Sequence, residues 1–383
     1  MSPCAGLDGL VRSLQYLSVR SFNPQITRGG RSAMTQVISR PLGRGSRTGA
    51  TVRALRGARR RWQVLSAPCL VLALIVGGQS WRMTHATVRA AGPTSWLSGT
   101  TLLSVYGRGF NTAPGLGRLG QDRSFDDVAR QVAPTVTAMR AAIPQRHVRI
   151  AIHLIYGLAT PCAAQDTCLI YLDDTGVDIV RRYIRPAQRR GWLVVLDDQL
   201  GRSNPVSEIR HMAARGYLRF DNVEVAFDPE FRTAPGQTTP GFPTGSVDAS
   251  ELNAAQLLMN SQGQAQNLAH RKLMLIHAWN TDMIHHRFRI DRILSHVEPV
   301  FVMDGIGAPA EKVRVYNSLF ATVSGQPSAL GGVKIFGPGS YAMPGQIDTP
   351  VMSWPEVFGA EPTVDGDGTP YRMSPAPAVV VLT

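Results

Sequence analysis

Short apolar strands alternate with longer helical stretches, seven or eight pairs over roughly 270 residues, and this predicts a TIM-like (β/α)8 barrel, a fold of about 250 residues. Seven strands are clear and the eighth is a stub, so the expected barrel is irregular at its close. The rival is an open doubly wound sheet. Neither a GxGxxG after the first strand nor a P-loop is present, and Gly107-Arg108-Gly109 is a lone GxG, so nothing in the chain asks for a nucleotide fold.

The elements follow in order from about residue 99. Thr101–Tyr106 is a short apolar strand closed by glycines. Ser124 caps a helix whose first turn holds Asp126 and Asp127, where carboxylates complement the helix dipole. Val148–Tyr156 is the second strand. A cysteine-bearing loop follows, then a helix from about Thr175 to Arg190 that Gly191 ends. Trp192–Asp197 is apolar on both faces, as a buried parallel strand requires. Asn204-Pro205 opens the next helix, with Asn at the cap and Pro at the first helical position.

The most informative strand is the fourth. Val223, Val225 and Phe227 alternate with Glu224, Ala226 and Asp228, and Pro229 ends the ladder. A long Pro/Gly-rich loop, Thr233 to Val247, leads to a helix opened by Asp248 or Ser250. Lys272–His277, Pro299–Asp304 and Gly332–Phe336 are the fifth to seventh strands, Pro350-Val351-Met352 is the stub of an eighth, and the tail from Gly359 reads as irregular. The expected organisation is therefore a disordered leader (1–61), a hydrophobic segment (62–81), a linker (82–98), the barrel (99–358) and a tail (359–383).

Charge is confined to the leader. The whole chain carries +13, and residues 1–90 account for all of it, with 14 Arg, no Lys and Asp8 as the single acid. The rest holds 26 basic and 26 acidic residues, which removes the argument for a nucleic-acid-binding face on the folded domain. Arg53, Arg56 and Arg59-Arg60-Arg61 precede an apolar run, Val64 to Gly78, in the arrangement of an export signal. Val88-Arg89-Ala90 supplies small residues for cleavage. An uncleaved membrane anchor and a buried core helix are the other readings of this run. The expected location is outside the cytoplasmic membrane, secreted or anchored at the cell surface. Cys162 and Cys168 bracket five residues, and in an oxidising compartment they predict a short-loop disulfide, with two free thiols as the alternative.

Titratable or polar residues close nearly every predicted strand at its carboxyl end: Tyr106, His153 and Tyr156, Asp197 and Asp198, Asp228 and Glu230, His277 with Trp279 and Asn280, Asp304, and Lys334. In a closed barrel these ends share one mouth, where ligand and catalytic groups sit. Structural alternatives accompany several of them. Asp198 suits a turn or cap, Asp304-Gly305 a turn, His277 a satisfied core position in phase with Leu273 and Leu275, and Lys334 an outward, snorkelling pose. No HExxH or comparable ligand spacing exists, so the sequence supports no metal site without excluding one, and no cofactor is expected. Two carboxylates in unlike environments can divide into a proton donor and a base or nucleophile, and the aromatic neighbours offer stacking faces for a sugar ring.

Asp221, Glu224 and Asp228 fall on the first, second and last acidic positions of the strand-4 signature of chitinase-like barrels, which the segment resembles over eight residues. Ala226 stands at the third acidic position and Asp228 at the terminal Glu, so that family's substrate-assisted mechanism does not carry over. The run Phe227-Asp228-Pro229-Glu230-Phe231, with Pro235-Gly236 and Gly245-Ser246-Val247, resembles uncharacterised exported barrel proteins and lipoproteins of bacteria across most of residues 100–358. That resemblance implies location and fold, and no activity.

The expected function is an exported glycoside-hydrolase-like barrel acting on a cell-surface or extracellular glycan. Asp228 is its acid, Asp197 or Asp304 the carboxylate partner, and His277 an orienting group; Tyr106, His153, Tyr156, Asp198, Glu230, Trp279, Asn280 and Lys334 are its binding residues. Two alternatives stand beside it: a phosphodiesterase using His153 and His277 as acid and base, and a non-catalytic barrel that binds a glycan or a surface partner.

Overall fold

The computed structural model describes residues 92–112, 116–163, 166–291, 294–320, 329–337 and 347–383. The Arg-rich leader and the apolar run Val64 to Gly78 lie outside the described residues. Among the described residues no helix is long and apolar enough to cross a membrane.

Eight parallel strands close into a barrel. They are β1 (Thr100–Gly107), β2 (His147–Ala159), β3 (Leu193–Asp198), β4 (Val223–Phe227), β5 (Lys272–Ala278), β6 (Val297–Met303), β7 (Leu330–Ile335) and β8 (Val379–Leu382). Each pairs with the next, β8 pairs with β1, and the eight-residue β1–β2 ladder completes the ring. The barrel is as expected, but its eighth strand is not Pro350–Met352. Val379–Leu382, in the tail read as irregular, fills the slot between β7 and β1. All four of its residues are buried, so a short Val-Val-Val-Leu run is long enough once both neighbours are in place.

Helices alternate with the strands. α1 (Phe125–Ala142) is capped by Ser124, whose side chain accepts from the Asp127 amide, and it buries Phe125, Val128, Val132 and Met139. α2 is a π-helical turn (Val180–Ile184) running into Arg185–Arg189. It starts later than the sequence suggests, where the Asp178 carboxylate accepts from the Arg181 amide. α3 (Pro205–Ala214) has the expected Asn204 cap, and α4 (Ala249–Ala265) has Asp248 and Glu251 in a full capping box. Glu251 also holds Arg232 through two contacts of 2.7 Å, which pins the start of the long β4–α4 loop to that helix. α5 (Pro309–Phe320) precedes β7. Cys162 and Cys168 are joined by the disulfide that their spacing predicted. Just after it, Leu169–Tyr171 adds a short antiparallel strand to the end of β2.

Strand alternation divides the core in two. Leu102, Ala151, Leu193, Val195, Ala226, Leu273, Leu275, Val300, Val302, Val379 and Val381 fill the barrel interior, while the intervening residues pack against the helices. The inward parity runs on to the strand ends, and it decides which polar residues reach the mouth.

At the amino end of the barrel Glu224 points inward and is fully buried. It accepts from the Leu273 amide, while its other oxygen has no partner. Lys272 beside it spends its ammonium on the carbonyls of Phe220, Asp221 and Val223. Burial outweighs the pull of Lys272 and pushes the Glu224 carboxyl up to about 8. A carboxyl raised in the folded state stabilises the fold fully below its unfolded pKa, and that contribution is lost as pH rises through the folded value. Glu224→Gln should therefore gain stability over the wild type between pH 5 and pH 8, by on the order of 3 kcal/mol. Urea unfolding of both proteins at the two pH values measures this, and a gap that does not change with pH would contradict the assignment.

Candidate functional site

Inward parity brings seven of the sequence-predicted residues to one place. Tyr106 follows Leu102 and Ser104 on the inner face of β1, His153 follows Ala151 on β2, and Asp197 follows Val195 on β3. Asp228 lies one residue past β4 in phase with Ala226, and His277 lies in phase with Leu275 on β5. Asp304 directly follows β6, and Lys334 lies near the end of β7. All seven are buried at the backbone-paired rim or are almost so; His153, Asp197 and His277 have no exposed surface.

The contacts define a compact network. Lys334 Nζ is 2.9 Å from Asp304 Oδ2 and 4.0 Å from the centre of the Tyr106 ring. Lys334 thus turns inward, against the outward pose that its short strand suggested. Asp304 Oδ2 is also 3.2 Å from His277 Nδ1. On the other side of that ring, His277 Nε2 is 4.0 Å from Asp197 Oδ2, and His153 Nε2 approaches the same oxygen at 3.5 Å. The His153 and His277 rings meet edge to face at 5.3 Å, and Tyr106 lies 5.1 Å from His153. His153 Nδ1 is 3.1 Å from the hydroxyl of Ser104, a residue that the strand-end reading passed over. Its signal was available, since Ser104 shares the inner face of β1 with Tyr106.

Electrostatics separate the acids. Burial raises Asp228 far above the ordinary carboxylate range, and Asp304, Glu230 and Asp197 push the same way. Asp228 Oδ1 has no hydrogen-bond partner, and among the described residues no cation pairs with this carboxylate. Glu230, in the turn after β4, is raised to about 7 by burial and by Asp304, partly offset by Lys334, and it also contacts Trp279. Asp304 goes the other way. Burial alone would raise it, but Lys334 and His277 hold it low. Asp197 is likewise lowered, against its burial, by His153, His277 and Lys334. Burial drives His153 down to about 4, so it is neutral at pH 7.

Three predicted residues lie elsewhere. Tyr156 follows Ile155 and so faces outward, where its hydroxyl meets Asp173 and His211. Asp198 follows Asp197 and also faces outward, accepting from the Leu200 amide beside Glu208. A register shift between Ile155 and Gly157 accommodates it, and a Cβ on Gly157 would lie 2.3 Å from Asp198 Oδ2. In each pair, alternation sends only one of two neighbours into the barrel. Asn280 caps the turn Thr281–Met283 by accepting from the Asp282 and Met283 amides. It is a local cap.

The acidic positions of the fourth strand are spread along the barrel. Asp221 binds the His270 amide and ring before the strand begins, Glu224 is buried low in the interior, and only Asp228 is at the mouth. No protein-family model matches the chain, and no curated protein matches its sequence.

The network is suited to moving protons, because burial raises one carboxyl, Asp228, while lysine and histidine neighbours lower two others, Asp304 and Asp197. It can also hold a cation: one ligand atom each from His153, Asp197 and His277 lie within 4.8 Å of one another.

Proposed function

We propose that the barrel mouth is the acid–base site of an exported hydrolase that cleaves glycosidic bonds in an extracellular or cell-surface glycan. The observation that carries this reading is the contrast between Asp228, buried without a cationic partner, and Asp304, paired with Lys334 at 2.9 Å and with His277 at 3.2 Å. Unlike environments divide carboxyl groups into a proton donor and an ionised partner, which is what glycosidic cleavage requires. In this reading Asp228 is the donor, Asp304 and Asp197 are the ionised carboxylates that stabilise positive charge on the sugar, and His277 orients the two. Tyr106 and Trp279 supply the aromatic walls.

Export is supported by the arginines ahead of the apolar run and by the Cys162–Cys168 disulfide, a bond that belongs to oxidising compartments. The membrane contact, if the run is retained, is through that segment. The phosphodiesterase reading has less support. No arginine is hydrogen-bonded or ion-paired to the network among the described residues, and Lys334 is committed to Asp304.

The pH profile tests the donor. An acid catalyst works while protonated, so activity falls as pH rises through its pKa. With Asp228 raised well above its ordinary value, the alkaline limb of kcat/KM for glycoside cleavage should lie well above the ordinary carboxylate range. Activity that disappears on the alkaline side of pH 5 would rule Asp228 out as the donor.

A further inference from the structure

Five buried atoms on three side chains at the mouth make no hydrogen bond: Nε2 of His153, both ring nitrogens of His277 and both carboxylate oxygens of Asp197. Their side chains have no exposed surface. Buried polar groups normally find partners, and a lone unpaired one costs about 1–3 kcal/mol. One atom from each of the three side chains converges within 4.8 Å, which calls for a shared partner, and the separations say which kind. Asp197 Oδ2 is 3.5 Å from one Nε2 and 4.0 Å from the other, too far for hydrogen bonds. Two donor atoms held about 2.1 Å from a tetrahedral metal ion stand about 3.4 Å apart, so the His153–Asp197 separation already fits and the set as a whole, within 4.8 Å, closes inward around an ion.

The surroundings fit the same partner. A metal-bound imidazole offers one nitrogen to the ion and directs the other to an oxygen, which fixes its tautomer. Nδ1 of His277 lies 3.2 Å from Asp304 Oδ2, near enough for the carboxylate's charge to favour the proton on Nδ1 and the lone pair on Nε2, although the two are not aligned as a hydrogen bond. Nδ1 of His153 lies 3.1 Å from the Ser104 hydroxyl, which can accept its proton and leave Nε2 free in the same way. Both rings thus turn the nitrogen nearer Asp197 toward the gap. Charge agrees: Lys334 is already paired with Asp304 at 2.9 Å, and among the described residues no lysine or arginine is ion-paired with Asp197, whose near neighbours are the two imidazoles.

We propose that His153, Asp197 and His277 form a binding site for one divalent transition-metal ion, with Ser104 and Asp304 as the groups that orient the two imidazoles. Two imidazoles and one carboxylate suit zinc, iron(II), cobalt(II) or manganese(II) better than magnesium or calcium, which prefer all-oxygen shells. No motif in the sequence announces such a site, because its three ligands come from three strands. The proposal stands on the ligand geometry and does not depend on the protein being a glycosidase; a bound ion would add water activation to that chemistry.

The test is a titration of chelator-treated full-length protein with cobalt(II) chloride, followed by visible absorption and by metal content after gel filtration. One cobalt per chain with the intensity of a four- or five-coordinate site is expected. Asp197→Asn and His277→Gln should abolish stoichiometric binding, and Ser104→Ala, which keeps all three ligands, should weaken it by about 10- to 100-fold. His285→Gln with His286→Gln, on the exposed surface beside Ser246 and Asp248, should leave it unchanged. No binding by the wild type would overturn the proposal, as would binding unaffected by Ser104→Ala and lost in the surface double variant. If the ligand variants do not fold, Ser104→Ala and the surface pair still decide the matter. Cobalt bound at this site by a protein that cleaves no glycoside would end the hydrolase reading and leave the metal site standing.

Discussion

Asp228→Asn is expected to slow cleavage of a glycoside with a poor leaving group by about 100- to 10,000-fold, the range for loss of a general acid. The same variant should act almost normally on an aryl glycoside whose phenolate leaves without protonation. The split follows from the role: a proton donor matters only while the departing oxygen needs a proton. The substitution is also structurally mild. Burial favours the protonated form of Asp228, which an amide matches in shape, and the Asp228 amide nitrogen keeps its 2.9 Å bond to the Asp198 carbonyl. Equal losses on both substrates would assign Asp228 to binding or to folding.

Lys312→Met is expected to have the largest effect on stability, about 3–5 kcal/mol, because it strands a buried carboxylate. Lys312 Nζ lies 2.8 and 2.7 Å from the two oxygens of Asp348 and donates to the Lys334 carbonyl at 2.8 Å, with both side chains essentially without exposure. Asp348 accepts further from the amides of Phe336 and Gly307. This pair ties α5 to the end of β7, the strand that carries Lys334 to the mouth. Adding Asp348→Asn to Lys312→Met should cost less than the sum of the single variants, since the stranded charge is gone, by a coupling of about 1–3 kcal/mol. Additive losses under 1 kcal/mol in urea unfolding would show that the pair is not what holds this corner.

The sequence made the barrel legible because each unit carries its own signals. Ser124, Asn204 and Asp248 are caps, and Trp192–Asp197 and Lys272–His277 are apolar runs of strand length. The eighth strand was hidden because Val379–Leu382 is only four residues long and follows a Pro-rich stretch; its strand character comes from β1 and β7 on either side. At the mouth, the residue types are legible in the sequence, and strand parity decides which of them face inward. Asp197-Asp198 offers two neighbours where alternation admits one, and Tyr156 stands an odd number of residues from His153, so only one of each pair faces inward. The outward pose of Lys334 fails for the same reason: Lys334 is level with Val381, an interior residue, so its side chain turns inward, where Asp304 of the adjoining strand pairs with it. The relation of His153, Asp197 and His277 could not be read at all, because barrel closure, not sequence spacing, brings them together.

The central claim is that the mouth of this barrel breaks glycosidic bonds. The most direct test is the release of reducing ends from a panel of extracellular and cell-surface polysaccharides by the full-length protein, with wild type and Asp228→Asn run side by side. The account predicts release by the wild type and a fall nearly to background in the variant. No release from any polysaccharide, or equal release by the two proteins, would contradict it.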